Sequence, residues 1–188
     1  GGCTFTPQNT SDTLVVAQRL VSLMAENGKL GNALSILKNE MVGSFCFTFV
    51  SDDNAVYAAR DPKGFRPMVV GFRKDTNTYI VASESAALAA VGAQLMRDVK
   101  PGELLKISNA GLECEMFSDE KTHAHCSFEF TYFAHPSSIM EGSNIYVARK
   151  KIGQYLAKKF PIKVADIVIP VPDSARPAAI RRPAVGHA

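Results

Sequence analysis

The stretch Arg60-Asp-Pro-Lys-Gly-Phe-Arg-Pro67 decides the fold of the middle of the chain, because it gathers two prolines, one glycine and four charged residues between apolar runs. Proline fixes its own φ and offers no N–H to a sheet, and glycine reaches positive φ freely, so this composition predicts a turn. The apolar runs at 55–59 and 68–72 predict strands on either side. We interpret 60–67 as a structural turn closed by arginine–aspartate pairing, rather than as a direct ligand contact.

The segments around this turn alternate between helical and extended patterns. Thr10-Ser11-Asp12 supplies cap residues before apolar residues at helical spacing, which predicts a helix that ends near Gly28. The remaining elements predicted before Ser118 are a helix at 30–41, strands at 43–50, 55–59, 68–72 and 78–82, an alanine-rich helix ending at residue 90, and two more short strands. We expect the four listed strands to form a β-meander, and the whole pattern indicates an α+β fold.

The pattern changes after Ser118. Residues 119–125 form a polar linker, and the aromatic run 126–134 predicts a strand. A helix at 144–160 and an apolar strand at 165–171 follow, which is typical of the beginning of an α/β domain. We expect Pro183 to break any helix in the last segment, 181–188, which shows no periodicity.

Charge and composition exclude several classes of protein. The formal net charge is +3, whereas nucleic-acid binding needs a concentrated basic face, so no nucleic-acid partner is expected. The sequence has neither an apolar run of about 18 residues nor a basic and then apolar leader, so we expect a soluble, cytoplasmic protein without a membrane partner. The four cysteines are scattered without a Cys-x-x-Cys pair, which favours free thiols in a reducing compartment.

Three motifs in a fixed order resemble one family. The turn at 60–67 is followed by Cys126-Ser-Phe-Glu-Phe-Thr-Tyr-Phe-Ala-His-Pro136 and then by Val168-Ile-Pro-Val-Pro-Asp-Ser174, and the three together resemble amidophosphoribosyltransferases. The resemblance implies a partial αββα glutaminase domain of the N-terminal-nucleophile hydrolase type over residues 1–122. It also implies a linker and the beginning of an α/β phosphoribosyltransferase domain over residues 123–188.

The same resemblance implies an activity. Members of this family carry out the first step of de novo purine biosynthesis, in which glutamine and phosphoribosyl pyrophosphate give phosphoribosylamine, glutamate and pyrophosphate. It also implies that the intact enzyme uses Mg²⁺ and is a homo-oligomer.

The resemblance further implies that this chain is an internal piece. The family's nucleophile is an amino-terminal cysteine activated by its own amine, and its phosphate loop is an acidic pair followed by a Gly-Thr-Thr-like turn. Neither occurs here, and Cys3 lies too far along the family's fold to replace that nucleophile. We therefore expect the chain to be inactive by itself, to bind no cofactor alone and to contain no catalytic residue.

Two residues acquire candidate roles from the resemblance. Asp12 falls on the aspartate with which class II glutamine amidotransferases bind the α-amino group of glutamine, although a helix cap is the simpler interpretation of the residue alone. Leu14 stands where the family usually has glutamate. Cys126 falls on a cysteine that holds a [4Fe–4S] cluster in some members. A zinc site at His123, His125 and Cys126 is the alternative, but a polar linker is favoured because further ligands are missing.

The second half of the chain departs from the family pattern in one loop. His135 and Ser137 replace an arginine and an aspartate, which suggests the loss of an ion pair or local contact. Arg149 belongs to the basic run Arg149-Lys-Lys151 and is expected on the solvated face of a helix.

Two other functions stay open. One is a noncatalytic binding or interaction module derived from the amidotransferase scaffold. The other is a different class II amidotransferase such as an asparagine synthetase, which the segments at 132–134 and 171–174 disfavour. In all cases we expect apolar surface to be left exposed, and we expect the chain to associate.

Overall fold

A computed structural model describes residues 11–161 and 167–180, and these residues divide into two compact units. The first unit contains the described part of residues 1–65 together with 100–124, and the second contains 66–99 together with the described part of 125–188. The last of the three divisions falls between Ala124 and His125. The domain boundary at 122/123 remains a prediction.

The first unit contains two helices and a four-stranded antiparallel sheet in the order β1-β2-β6-β7. Its elements are α1 (Asp12–Asn27), α2 (Leu30–Glu40), β1 (Cys46–Val50), β2 (Val56–Arg60), β6 (Glu103–Ser108) and β7 (Gly111–Met116). Leu23, Leu34 and Phe45 are among the buried residues of a core that both helices share with the sheet. As the sequence predicts, both helices are amphipathic, and each buries one stripe of apolar side chains in this core.

The second unit is built from two separate stretches of chain. The first stretch supplies a three-stranded sheet in the order β4-β3-β5, from β3 (Val69–Arg73), β4 (Thr78–Ala82) and β5 (Gln94–Asp98), together with the short helix α3 (Ser85–Ala90). The second stretch supplies a π-helical turn (Glu129–Phe133), the strand pair β8 (Ile139–Met140) and β9 (Ser143–Asn144), α4 (Ile145–Lys159) and α5 (Arg176–Ala179). Leu88 of α3 packs under the sheet beside Val69.

The helix starts follow from local capping. The Ser11 side chain accepts a hydrogen bond from the N–H of Leu14, and the Asn144 side chain accepts one from the N–H of Val147. These bonds satisfy N–H groups that a helix start leaves without a partner inside the helix. Gly28 ends α1 at a φ of 75°, as the sequence predicts.

The turn at 60–67 is confirmed as a structural turn, and its first two charged residues, Arg60 and Asp61, are buried. The Arg60 Nη2 atom donates to the Gly64 carbonyl at 3.0 Å. The Asp61 carboxylate accepts the N–H groups of Lys63 and Phe65, both at 3.0 Å. Gly64 has a φ of +61°, and a Cβ there would stand 2.6 Å from the Pro101 side chain, so glycine is required for both reasons.

The predicted β-meander is wrong. β2 pairs with β1 and with β6, while β3 pairs with β4 and β5, so the four strands belong to two sheets. The turn at 60–67 separates β2 from β3, because its prolines interrupt the sequence of N–H donors that a continuing hairpin would need. Three short strands rather than two follow α3, namely β5, β6 and β7.

The predicted strand at 126–134 is also wrong. The aromatic composition suggested a strand, but the segment forms a helical turn whose last part is π-helical, with the Ala134 N–H donating to the Glu129 carbonyl at 3.1 Å. A strand needs a hydrogen-bonded neighbour. In the described part of the chain this segment has none, and its carbonyls find other partners.

The predicted strand at 165–171 lies partly outside the described residues. Residues 167–171 are described and form no strand there, because among the described residues no strand pairs with them. The expected helix break at Pro183 falls in 181–188, outside the described residues. No helix in 11–161 or 167–180 combines the length and apolar character needed to cross a bilayer.

Asp53 should give the first unit a measurable dependence on acid. Hydrogen bonds from Lys106 and Tyr57 to its carboxylate, at 2.9 Å each, lower the pKa of Asp53 to about 2 from an ordinary 3.8. A carboxyl with a lowered pKa stabilises the fold above its ordinary pKa and loses that contribution as the pH falls toward the lowered value. We expect Asp53→Asn to flatten the melting temperature against pH between 3.8 and about 2.

Lys106→Met should flatten the same profile, since it removes the hydrogen bond that contributes most to the lowered pKa of Asp53. A profile in which both variants retain the wild-type slope would contradict the assignment.

Gly153 should tolerate no side chain. A Cβ at this buried position of α4 would collide with the backbone carbonyl of Ala178 in α5. We expect Gly153→Ala to cost about 1–3 kcal/mol in unfolding free energy, as overpacking typically does. The matched control is Gly31→Ala in α2, where the added Cβ meets only the flexible end of Glu115. Its effect should stay below about 1 kcal/mol, and equal losses in denaturant titrations would refute the packing argument.

Candidate functional site

Asp12 lies at the amino end of α1, where the sequence predicts it. Ser11 caps the helix, and Asp12 is the acid of its first turn, with its side chain exposed. The helix dipole favours a carboxylate at this end. The buried side chains of α1 pack into the core that it shares with α2, and Arg19 of α1 also binds Glu40 of α2 through two hydrogen bonds of 2.7 and 2.6 Å, so the helix is held in place. An exposed carboxylate on a fixed helix end can bind a cationic group such as an ammonium ion.

Cys126 lies in the second unit, apart from the unit that contains Asp12. It is buried at 8% exposure, and its carbonyl accepts the N–H of Glu129 at 3.2 Å as the helical turn begins. His125 Nδ1 lies 3.7 Å from a carboxylate oxygen of Glu141. Across 11–161 and 167–180, no three metal-ligating side chains lie close enough together to hold an ion, so the structure does not bring His123, His125 and Cys126 together as a site.

Arg149 is not a surface residue, which corrects the prediction. It is 3% exposed, its Nε donates to the Phe130 carbonyl at 2.9 Å, and its Nη2 donates to the Ala134 carbonyl at 2.8 Å. The guanidinium thus satisfies carbonyls in and just after the π-helical turn. Burial lowers the pKa of Arg149, and the charge of Glu84 opposes that shift.

The signal for this role was present in the sequence. Ile145, Arg149 and Gly153 recur every four residues and together form the buried face of α4. The adjacent lysines Lys150 and Lys151 made the arginine look like part of a solvated basic run. An arginine on the apolar stripe of a helix is better interpreted as a partner for backbone carbonyls.

Glu84 organises the loop that follows the π-helical turn. One oxygen of its carboxylate accepts the N–H of His135 at 2.7 Å and the hydroxyl of Ser138 at 2.8 Å. The Ser138 hydroxyl in turn accepts the N–H of Ala86 at 3.2 Å, and the Ser85 hydroxyl accepts the N–H of Ile139 at 2.7 Å. The Ser-Glu-Ser run at 83–85 therefore fixes a loop more than fifty residues away, which its sequence position did not reveal.

His135 and Ser137 contact each other, whereas the loss of an ion pair or local contact relative to the family pattern remains a prediction. The His135 Nδ1 and Ser137 Oγ atoms are 2.7 Å apart, and the Ser137 N–H lies 3.3 Å from the same nitrogen. A ring nitrogen and a hydroxyl can share a hydrogen bond without formal charge. The loop keeps its shape by this contact and by Glu84.

An ion pair between Arg66 and Glu129 also holds the π-helical turn. The Arg66 Nη1 atom lies 2.6 Å from Glu129 Oε1, and the guanidinium lies 5.1 Å from the centroid of the Phe133 ring. Glu129 is buried at 8% exposure. Arg66, the last arginine of the turn at 60–67, lies in the second unit and contacts the aromatic segment there.

The segment at 168–174 ends in a turn and a short helix, as predicted. The turn leads into α5 at Arg176, whose Nη2 atom lies 3.1 Å from Asp173 Oδ1. Ile169 and Val171 are each 77% exposed. Within the described residues, this segment forms no strand and contains no phosphate-binding loop, and only its turn and the helix after it match the predicted motif.

Comparison with known proteins agrees with this arrangement. A glutamine amidotransferase domain family matches residues 3–90. The amidophosphoribosyltransferase of Archaeoglobus fulgidus is 42% identical over 170 residues, which cover 90% of this chain and 36% of that protein. The solved B. subtilis glutamine phosphoribosylpyrophosphate amidotransferase, complexed with ADP and GMP, superposes with a TM-score of 0.82 at 36% identity. That superposition covers 95% of this chain and 38% of that one.

These matches place the amino-terminal half of the chain in the class of glutamine amidotransferase domains. The similarity continues well beyond that domain, and the relatives that it matches over 90% or more of this chain are amidophosphoribosyltransferases. The predicted α+β fold, with a glutaminase domain of the N-terminal-nucleophile hydrolase type, is confirmed by the same structural match. The chain spans little more than a third of the length of the relatives it matches.

Removing the Arg149 guanidinium should destabilise the second unit. Arg149→Met leaves the carbonyls of Phe130 and Ala134 without their donors, and each buried orphan costs about 1–3 kcal/mol. We expect a loss of at least about 2 kcal/mol in unfolding free energy, measured by denaturant titration. Lys151→Met, on the exposed face of the same helix, is the matched control and should change stability by less than about 0.5 kcal/mol. Similar values for the two variants would show that Arg149 is not needed.

Proposed function

We propose that this chain is part of an amidophosphoribosyltransferase, which transfers nitrogen from glutamine to phosphoribosyl pyrophosphate. The observation that carries the proposal is the similarity over 170 residues, which includes the glutamine amidotransferase domain and continues past its end at residue 90. A likeness limited to the amidotransferase domain would suit several enzymes. The continuation into the segments at 126–136 and 168–174 supports this one.

The proposed reaction has two halves, and ammonia released in the first is consumed in the second. In the first, water cleaves the side-chain amide of glutamine and releases glutamate and ammonia. In the second, the nitrogen lone pair of ammonia forms a bond to the anomeric carbon of phosphoribosyl pyrophosphate, the bond to pyrophosphate breaks, and a proton leaves to give phosphoribosylamine. The first half needs a site that recognises an amino acid.

Asp12 is the residue of this chain to which we assign a role in that recognition. Its exposed carboxylate at the start of a fixed helix can pair with the α-ammonium group of glutamine. Such a pair positions the substrate without taking part in bond cleavage. The cleaving nucleophile is not assigned to any residue described here.

The proposed enzyme would use Mg²⁺ to neutralise the pyrophosphate of its substrate. We assign no described residue to this ion. An iron–sulfur cluster needs about four ligands, and among the described residues no three ligating side chains gather, so we assign Cys126 no partners for such a cluster. No step of the mechanism passes through a cluster.

The proposed setting is the cytoplasm. The four cysteines are scattered along the sequence without a Cys-x-x-Cys pair, which suits a reducing compartment. A cytoplasmic location also matches the use of phosphoribosyl pyrophosphate, a charged metabolite that does not cross membranes unaided.

The assay that tests this function measures pyrophosphate release by the full-length protein, with either glutamine or ammonium chloride as the nitrogen source. Asp12→Asn should raise KM for glutamine by about 10- to 100-fold, since a charge-assisted bond worth about 1.5–3 kcal/mol is lost. Its ammonia-dependent rate should stay unchanged, because free ammonia bypasses glutamine recognition. Glu26→Gln, which changes a carboxylate near the other end of the same helix, is the control and should alter neither rate.

Absence of pyrophosphate release with both nitrogen sources would reject the proposed function. An Asp12→Asn variant that loses both activities equally would reject the role of Asp12 in glutamine recognition.

A further inference from the structure

Helix α3 receives part of its capping from a loop that lies far along the chain. Its N-cap residue, Glu84, makes no capping bond with its side chain, and the N–H of Ala86 in the first turn donates instead to the Ser138 hydroxyl at 3.2 Å. That hydroxyl donates to the Glu84 carboxylate at 2.8 Å, and the same carboxylate accepts the N–H of His135 at 2.7 Å. The Ser85 hydroxyl accepts one further N–H of the loop, at 2.7 Å. We call these four hydrogen bonds the Glu84 network.

The Glu84 network is buried at its centre. Ser138 is 0% exposed, and its hydroxyl both donates and accepts within the network. A hydroxyl removed from water is costly unless protein groups replace its lost hydrogen bonds. The Glu84 carboxylate accepts two of the four bonds, and hydrogen bonds to a charged acceptor are the stronger ones. Glu84 therefore contributes most to holding the loop.

The same loop is also bound to the start of α4. The N–H groups of Ile145 and Tyr146 donate to the carbonyls of Ser138 and Pro136, each at 3.0 Å. The Arg149 Nη2 atom donates to the carbonyl that precedes the loop, at 2.8 Å. All of these residues lie in the second unit. The loop therefore joins the first turn of α3 to the first turn of α4, and neither helix start can move alone without breaking hydrogen bonds.

The two helices that the loop joins belong to different parts of the matched sequences. Helix α3 ends at Ala90, where the match to the glutamine amidotransferase domain also ends, whereas the loop and α4 lie beyond it. In the proposed enzyme, the amidotransferase part releases ammonia from glutamine, and the part that follows consumes it. The Glu84 network lies where these two parts meet along the chain.

We propose that Glu84 is a positioning residue that couples the two halves of the proposed reaction. This inference rests on the proposed function. Ammonia is transferred productively only when the two parts keep a fixed geometry, because a misplacement of about 1 Å can cost about 100-fold in rate. The Glu84 carboxylate keeps that geometry by holding the loop, and through the loop the start of α4. It takes no part in the making or breaking of bonds.

The test uses the full-length protein and measures three rates. These are glutamate formation and pyrophosphate release with both substrates present, and pyrophosphate release with ammonium chloride in place of glutamine. Glu84→Gln keeps the shape of the side chain but removes its charge, which weakens the hold on the loop. We expect glutamine-dependent pyrophosphate release to fall by at least about fivefold, or about 1 kcal/mol, while the other two rates stay within about twofold of the unsubstituted protein.

Two further variants make the result specific. Ser138→Ala removes the hydroxyl at the centre of the Glu84 network and should separate the three rates in the same direction. Asp75→Asn changes an exposed carboxylate of the same unit, which pairs locally with Arg73. It is the matched control and should leave all three rates unchanged. Melting temperatures establish that each variant is folded.

A purely structural role for Glu84 predicts a different pattern. Glu84→Gln would then lower all three rates in the same proportion or leave all of them unchanged, and either result would overturn the proposal. If Glu84→Gln does not fold, the same criteria applied to Ser138→Ala decide the matter.

The outcome is distinguishable from a failure of the proposed function. Absence of pyrophosphate release by the unsubstituted protein with both nitrogen sources would reject the function. An active protein whose three rates keep their proportions in Glu84→Gln would reject the coupling alone. The pattern also differs from that of Asp12→Asn, which should lower glutamate formation at low glutamine concentration.

Discussion

The first unit depends on the turn at 60–67, whose first two charged residues are buried. Asp61 is 2% exposed, and the backbone N–H groups of its own turn surround its carboxylate. Burial raises the pKa of this carboxyl, with the turn hydrogen bonds acting in the opposite direction. Its backbone N–H donates to the Phe45 carbonyl at 2.9 Å, and the carbonyls of Arg60 and Asp61 both accept the N–H of Gly102 at 3.1 Å. The start of β1, the end of β2 and the approach to β6 therefore meet at one residue.

The sequence predicts the local elements well, because caps, turns and helical spacing act over a few residues. Gly28, Gly64 and Asn144 behave as their types require. Strand pairing is harder to predict from local sequence. The neighbour of β2 is β6, some forty residues further along the chain, rather than β3, which follows it directly. The aromatic run at 126–134 misled the prediction for the same reason. Its composition suits a strand, but whether a strand forms depends on a neighbour that the local sequence does not specify.

The functional-site residues likewise fall into those that local sequence predicts and those that it does not. Asp12 could be placed in advance because a helix start positions a carboxylate by itself. The roles of Glu84 and Arg149 could not, because each is defined by backbone groups from a distant part of the chain. Arg149 shows that the residue type carries less information than the face it occupies. A basic run suggested solvent exposure for all three members, whereas the helical period separates the first from the other two.

The burial of Arg149 has a consequence for how the second unit assembles. A guanidinium gives up its water only where carbonyl oxygens are already in place to replace it, and the carbonyls of Phe130 and Ala134 are oriented only when the π-helical turn has closed. Docking of α4 and closure of the turn are therefore a single cooperative event, with no favourable half-way state in which one is complete and the other open. An ordinary surface helix could fray and return independently; this one must move together with the aromatic segment it holds.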